Sequence, residues 1–343
     1  VSTQRRGRGL LQRQRNAASA AAAALACSGF GWLGLVVARA GAAHSTAGAA
    51  LALLAGGDPA HLRVIRDQVA RAARYTDPDR RQYHSWFYGP QIILVAEYIM
   101  ATDDRSFMPD LERLALEIAR GQSDVGSWGH RFIQETGRLA GYGMMNAPGI
   151  PMLIGLALAR EAGVDSPEVD AALEKGSRLI RFYVGKGSVP YGDHDPWIEN
   201  HDDNGKNGAA AVLFNLLGDV DATEYFSRMS VACHGVERDT GHTGNYFNML
   251  WAMPGVALSG PEASGDWMEE FGWGFDLARR WDGTFTHQGP AEPKYDSYRL
   301  WDASGTYLLA YAQAARRTHL TDRDAAVRRA CSQFVRIPGG GSG

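Results

Sequence analysis

Residues 191–208 read Tyr-Gly-Asp-His-Asp-Pro-Trp-Ile-Glu-Asn-His-Asp-Asp-Asn-Gly-Lys-Asn-Gly. Five carboxylates (Asp193, Asp195, Glu199, Asp202 and Asp203), two histidines (His194 and His201) and Lys206 crowd into this Gly- and Pro-punctuated loop, and an apolar helix over 209–217 follows at once. Charge packed so densely against a core helix is costly unless it is solvated, paired, bound to metal or used. Glycosidic cleavage needs two carboxylates across the scissile bond, one as acid and one as base or nucleophile. Asp193, Asp195, Asp202 and Asp203 are candidates on one side, with Asp302 expected to face them. Asp195 is the first choice for the acid, and Asp203 or His242 for the base. Lysis of a uronate needs instead a base alpha to a carboxylate and a group that neutralises the charge. His242 or Tyr246, with Asn245 and Arg299, has the right groups for that. The cofactor expectation is open: none is specified, but Asp193, His194, Asp195, His201 and Asp202 include divalent-metal ligand types. Loops this acidic are also often just solvated or helix-capping.

The elements that must position these groups are helical. Runs of alternating β-branched residues are few. Leu111, Leu114, Ala115 and Ile118 recur at i, i+3, i+4 and i+7, the stripe of an amphipathic helix, and Leu62, Ile65, Val69 and Ala72 make a similar one. Residues 91–101, 149–159 and 208–217 are apolar nearly all round and predict helices buried on every side. Apolar and amphipathic helices alternate about six times. The apolar ones begin near Ser45, Gly89, Asn146, Gly208, Asn245 and Asp302, and their partners near Pro59, Phe107, Ser166, Asp221, Pro261 and Thr321. Stacked two-helix units with fully buried inner members favour a closed ring over an open array. The expected fold is an all-α (α/α)6 toroid over residues 41–337, after a basic, Ala-rich segment over 1–40 and before a linker over 338–343.

In such a ring the inner helices all start at one end, so the residues just before each start share one mouth. They are His44; His84, Trp86 and Tyr88; Tyr142 and Asn146; the 191–208 loop with Trp197, Lys206 and Asn207; His242, Asn245 and Asn248; and Tyr295, Asp296, Tyr298, Arg299, Trp301 and Asp302, with Trp128 and His130 added from 126–132. Any one of these alone reads as a cap or a core polar group; Asn146 and Asn245 suit plain N-caps. The recurrence at every unit is what suggests a site. Aromatic faces beside Asp, Asn and His are what a sugar ring needs, and helix N-termini favour anionic groups or developing negative charge.

The bulk numbers fit a folded protein. The 343 residues are 45% apolar and 21% charged. A net charge of −3 gives no electrostatic case for nucleic acid or an anionic membrane. Cys27, Cys233 and Cys331 have no metal-binding spacing. Arg5, Arg6, Arg8, Arg13 and Arg15 precede an alanine run over 17–26, a pattern that resembles an export signal and makes export the expected localisation. No segment reaches the roughly 18–20 continuous apolar residues of a convincing membrane span. The expected partner is a small molecule or oligosaccharide.

Arg120-Gly-Gln-Ser-Asp-Val-Gly-Ser-Trp-Gly129 resembles the Gln-and-Trp motif that closes outer helices in terpenoid cyclases and their α/α-toroid relatives. Residues from about 85 to 315 more closely resemble an uncharacterised bacterial toroid domain often found beside a PDZ domain. The motifs that carry this are Gly126-Ser-Trp-Gly-His130, Pro190-Tyr-Gly-Asp-His-Asp-Pro-Trp197, Asn204-Gly-Lys-Asn-Gly208, Gly241-His-Thr-Gly-Asn245 and Arg279-Arg-Trp-Asp-Gly283. That resemblance implies the toroid and no chemistry; the chain's N-terminus shows no PDZ pattern. The leading expectation is a carbohydrate-active enzyme, a glycoside hydrolase or polysaccharide lyase. The alternatives are a terpenoid cyclase-like enzyme, against which the absence of an Asp-x-Asp-Asp motif counts, and a glycan- or peptide-binding scaffold.

Overall fold

The computed structural model describes residues 36–75, 85–139, 143–192, 195–196, 204–232, 246–288, 300–312 and 318–321, with backbone alone for 36–45, 204 and 246–248. These residues form eleven α-helices, short 3-10 turns and three isolated antiparallel bridges. The odd-numbered helices are α1 (Val36–Gly56), α3 (Ser85–Thr102), α5 (Asn146–Ala162), α7 (Asn204–Leu217), α9 (Tyr246–Leu258) and α11 (Ser304–Ala312). The even-numbered ones are α2 (Leu62–Ala73), α4 (Met108–Arg120), α6 (Pro167–Arg181), α8 (Val220–Ala232) and α10 (Pro261–Ala278).

Each odd-numbered helix packs on the next, and α11 packs back on α1, so six helices close a ring. The even-numbered helices lie outside it. Helices α2, α4, α6 and α8 each touch the inner helix before and the inner helix after, and α10 stacks Phe275 on Tyr307 of α11 at 4.5 Å. Sequence explains the division. In α4 the buried side chains are the Leu111, Leu114, Ala115 and Ile118 stripe, whereas in α3 four successive residues, Ile92 to Val95, are all buried. Each such aliphatic side chain contributes about 1.5–3 kcal/mol on burial. Local signals set the ends. Ser166 caps α6 by accepting from the Val169 N–H, Pro167 opens the first turn with Glu168 and Asp170, and Arg178 and Arg181 close the last. Helix α5 stops at Gly163, whose φ of 110° is the left-handed conformation that glycine adopts without strain.

Some expected boundaries move. Leu62, placed on the buried stripe of α2, stands at the helix start and is exposed. Ser45 lies inside α1, and Gly89 and Gly208 lie one turn inside α3 and α7 rather than at their starts. These two glycines are packing residues. A Cβ on Gly89 would lie 2.9 Å from Pro151 of α5, and one on Gly208 would collide with the carbonyl of Trp251 in α9. Gly48 meets Gly305 in the same way where α1 adjoins α11. Gly89 and Pro151, and Gly208 and Trp251, are each about one turn from their helix starts, so the paired inner helices run parallel. The partner expected near Thr321 is seen only to its first residues, a 3-10 turn at His319–Thr321.

That turn lies at the end of the ring where the inner helices finish. It packs on α7 and α9, and the fully buried Glu97 of α3 accepts from the backbone N–H groups of His319 (3.0 Å) and Leu320 (2.8 Å). His319 Nε2 also lies 4.0 Å from Glu161 at the end of α5. The 318–321 turn thus touches four of the six inner helices at the end of the ring where they finish. Among the described residues no helix is long and apolar enough to cross a membrane.

Candidate functional site

The opposite end, where inner helices begin, is the mouth. Two loops build its described part. The first, 121–139, is set by a turn in which Ser127 O accepts from Ser123 N–H (2.9 Å) and Oγ (2.8 Å), while buried Gln122 donates to Gly126 O and Ala172 O. From that turn the chain runs under the starts of α3 and α5. Trp128 O accepts from Met145 N–H at 2.8 Å, and His130 O accepts from Ser85 N–H at 3.3 Å. The Trp86 indole N–H donates to His130 Nδ1 at 2.9 Å, with the two rings stacked.

The second loop, 187–192, is pinned by two asparagines. Asn146 Nδ2 donates to Pro190 O (2.9 Å) and Gly192 O (3.4 Å), and Asn146 N–H donates to Tyr191 O (2.8 Å). Asn207, one turn into α7, accepts from Val189 N–H (3.0 Å) and donates to Ser188 Oγ (3.1 Å). Lys206 is buried, with its ammonium 5.5 Å from the Tyr191 ring centroid. Asp195 is exposed. At α11, Asp302 Oδ1 accepts from Ser304 N–H (2.8 Å) as a helix cap, while Trp301 is half-buried and its backbone pairs with His287.

Two expected ligand-binding residues are structural instead. Trp128 is fully buried in the main core and its indole donates to Ile118 O at 2.9 Å, so its ring faces the end of α4. Tyr88 turns outward. Its hydroxyl donates to Glu117 of α4 at 2.6 Å, and burial, followed by that carboxylate, pushes its pKa upward. Asn146, Asn207 and Asp302 each spend polar atoms on loops or caps. Trp86, His130, Asn146, Lys206, Trp301 and Asp302 all lie at the mouth end, as does Asp195. His84, Tyr142, Asp193, Trp197, Asp202, Asp203, His242, Asn245 and Arg299 lie outside the described residues, as do the side chains of His44 and Asn248.

Sequence reasoning missed His287 and Ser85. His287 is buried beside the start of α11, its Nδ1 3.4 Å from the Tyr307 hydroxyl, whose pKa burial raises. Its setting in Thr-Phe-Thr-His carries no motif. Ser85 opens α3, and its position before Trp86 was the available signal.

A cavity of about 1230 Å³ lies at the other end of the ring, lined by the ends of α5 and α7 and by α6. Its arginines are already paired, Arg160 with Asp170 (3.8 Å), Arg178 with Glu174 (3.4 Å) and Arg181 with Asp219 (2.6 Å). It is remote from the converging aromatic and amide groups. Among the described residues no group of three or more His, Cys, Asp or Glu is placed to hold a metal ion.

The family model described as a domain of unknown function, DUF6288, matches residues 20–322, and the chain belongs to that family. No curated protein matches the chain. Among solved structures the chain is similar to one described as a glycosyl hydrolase of family 88 from Bacteroides vulgatus, with a TM-score of 0.53 and 11% identity over 81% of this chain and 91% of that one. At that identity the likeness shows the fold alone, an α/α toroid.

Proposed function

We propose that this chain is a carbohydrate-active enzyme, a glycoside hydrolase or polysaccharide lyase, working at the mouth of its toroid. The observation that supports the reading is a recurrence at one end of the ring. Aromatic rings (Trp86, Tyr191 and Trp301) and polar side chains (His130, Asn146 and Asp302) recur at the end of the ring where the inner helices start. The toroid is also the fold of the similar glycosyl hydrolase.

The acidic loop that begins at Tyr191 supplies the chemistry in this reading. Asp195 is exposed and serves as the acid, with Asp203 or His242 as the base, and Asp193 and Asp202 as neighbouring carboxylates. In the lyase form, His242 or Tyr246 removes the proton alpha to a uronate carboxylate whose charge Arg299 with Asn245 neutralises; the electron pair forms the C4–C5 double bond, the glycosidic C4–O bond breaks, and the leaving oxygen takes a proton. The test is incubation of the full chain with neutral and acidic oligosaccharides, with and without EDTA, read by new reducing ends and by the ultraviolet absorbance of an unsaturated product. New reducing ends alone identify a hydrolase, absorbance a lyase, and loss of either with EDTA a metal. No product and no binding from any glycan would remove the carbohydrate reading.

A further inference from the structure

Three buried polar atoms in the first turns of inner helices have no hydrogen-bond partner among the described residues: Ser85 Oγ, Asn146 Oδ1 and, in α11, Thr306 Oγ1. Each residue is only 1% exposed. The orientation of the Asn146 amide follows from its partners. Pro190 O and Gly192 O can only accept, so the atom facing them is the nitrogen, and the oxygen points away from that loop. A buried acceptor without a donor destabilises the fold, and such groups call for an explanation outside it.

One short stretch of chain brings the backbones of Ser85 and Asn146 near each other. His130 O holds the N–H of Ser85, and Trp128 O holds the N–H of Met145, the neighbour of Asn146. Two residues of chain span at most about 7 Å, so the first turns of α3 and α5 meet on a single short rung. Trp86, Phe87 and Met145 form an apolar cluster there, separate from the main core, with Tyr75 and Tyr191 packed against it. A small-molecule site has this composition: mostly apolar and aromatic walls with a few placed polar groups.

We propose that Ser85 Oγ and Asn146 Oδ1 are the hydrogen-bonding pair of a subsite for an uncharged sugar, between the first turns of α3 and α5. This rests on the carbohydrate reading above and narrows it. Asn146 Oδ1 only accepts, so it takes an O–H and repels a carboxylate or phosphate oxygen. Ser85 Oγ both donates and accepts, which suits a second, adjacent hydroxyl. The aromatic walls take the CH face of the pyranose.

The experiment uses the full chain and its Ser85→Ala variant with glucose, galactose and mannose, and with glucuronate and galacturonate. Binding is read by saturation-transfer NMR and calorimetry, and folding by Tm. The expected result is that the wild type binds a neutral hexose in preference to its uronate. Ser85→Ala then lowers that affinity about tenfold while Tm holds or rises, because the variant deletes an unpaired buried hydroxyl. A hydroxyl with a purely structural role, or one bridged by buried water, leaves affinity unchanged. Equal affinity of the two proteins, preference for a uronate, or cleavage of a glycan without binding of any neutral hexose each overturns the subsite and leaves the enzyme reading standing. Failure of the wild type to bind or cleave any glycan overturns both.

Discussion

The indole N–H of Trp86 donates to Nδ1 of His130 at 2.9 Å, joining the start of α3 to the loop that follows α4. An accepting Nδ1 leaves the ring proton of neutral His130 on Nε2. Nitrogen-15 NMR of the imidazole should therefore find Nδ1 unprotonated and Nε2 protonated at neutral pH. Trp86→Phe should remove that preference and cost about 1 kcal/mol in urea unfolding. An Nδ1–H tautomer in the wild type would contradict the bond.

Asp195 is exposed, so Asp195→Asn should leave stability within about 0.5 kcal/mol. Turnover of a cleaved glycan should fall by at least about 100-fold, and likewise for Asp203→Asn. Full turnover in both variants would take these carboxylates out of the chemistry.

Glu97 is fully buried and holds two backbone N–H groups of the 318–321 turn. Glu97→Ala should cost about 2–4 kcal/mol, measured by chemical denaturation, because it strands both donors in the core. Removal of the turn's register should also raise hydrogen exchange at Leu320.

Gly208 faces the carbonyl of Trp251, and a methyl group has nowhere to go against backbone. Gly208→Ala should cost about 1–3 kcal/mol in thermal or chemical unfolding. A neutral result would mean that α7 and α9 separate easily at this seam.

Asp104 accepts from the Ser106 hydroxyl and N–H, Arg66 and Tyr98, and the Ser106 hydroxyl is the largest influence holding its carboxyl below the ordinary range. A carboxyl depressed on folding stabilises the protein above its unfolded pKa, and that contribution drains away as pH falls through the folded value. Stability should thus decline on the acid side below the ordinary carboxylate range. Asp104→Asn should flatten that part of the curve in pH-dependent urea titrations.

The ring was legible because burial leaves a periodic trace. The Leu111, Leu114, Ala115 and Ile118 stripe and the unbroken run of Ile92 to Val95 distinguish an outer from an inner helix before any coordinates. Helix starts were less legible. Gly89-Pro90 looks like punctuation, yet Gly89 serves close approach to Pro151 inside α3. The direction of a side chain was not legible at all. Trp128 and Tyr88 sit near the mouth in sequence, and only their partners, Ile118 O and Glu117, turn them toward α4. Ser85 and Asn146 illustrate the same limit from the other side, since what marks them is the lack of a partner for one buried atom among the described residues, which sequence does not record.

The turn at 318–321 is held to the ring by side chains that lie far from it in sequence. Through Glu97 it ties the chain beyond the last inner helix to the second one, 222 residues back in sequence. A contact of that span carries a large loop-closure cost and is made late in folding, so it acts as a latch on a ring that has already closed.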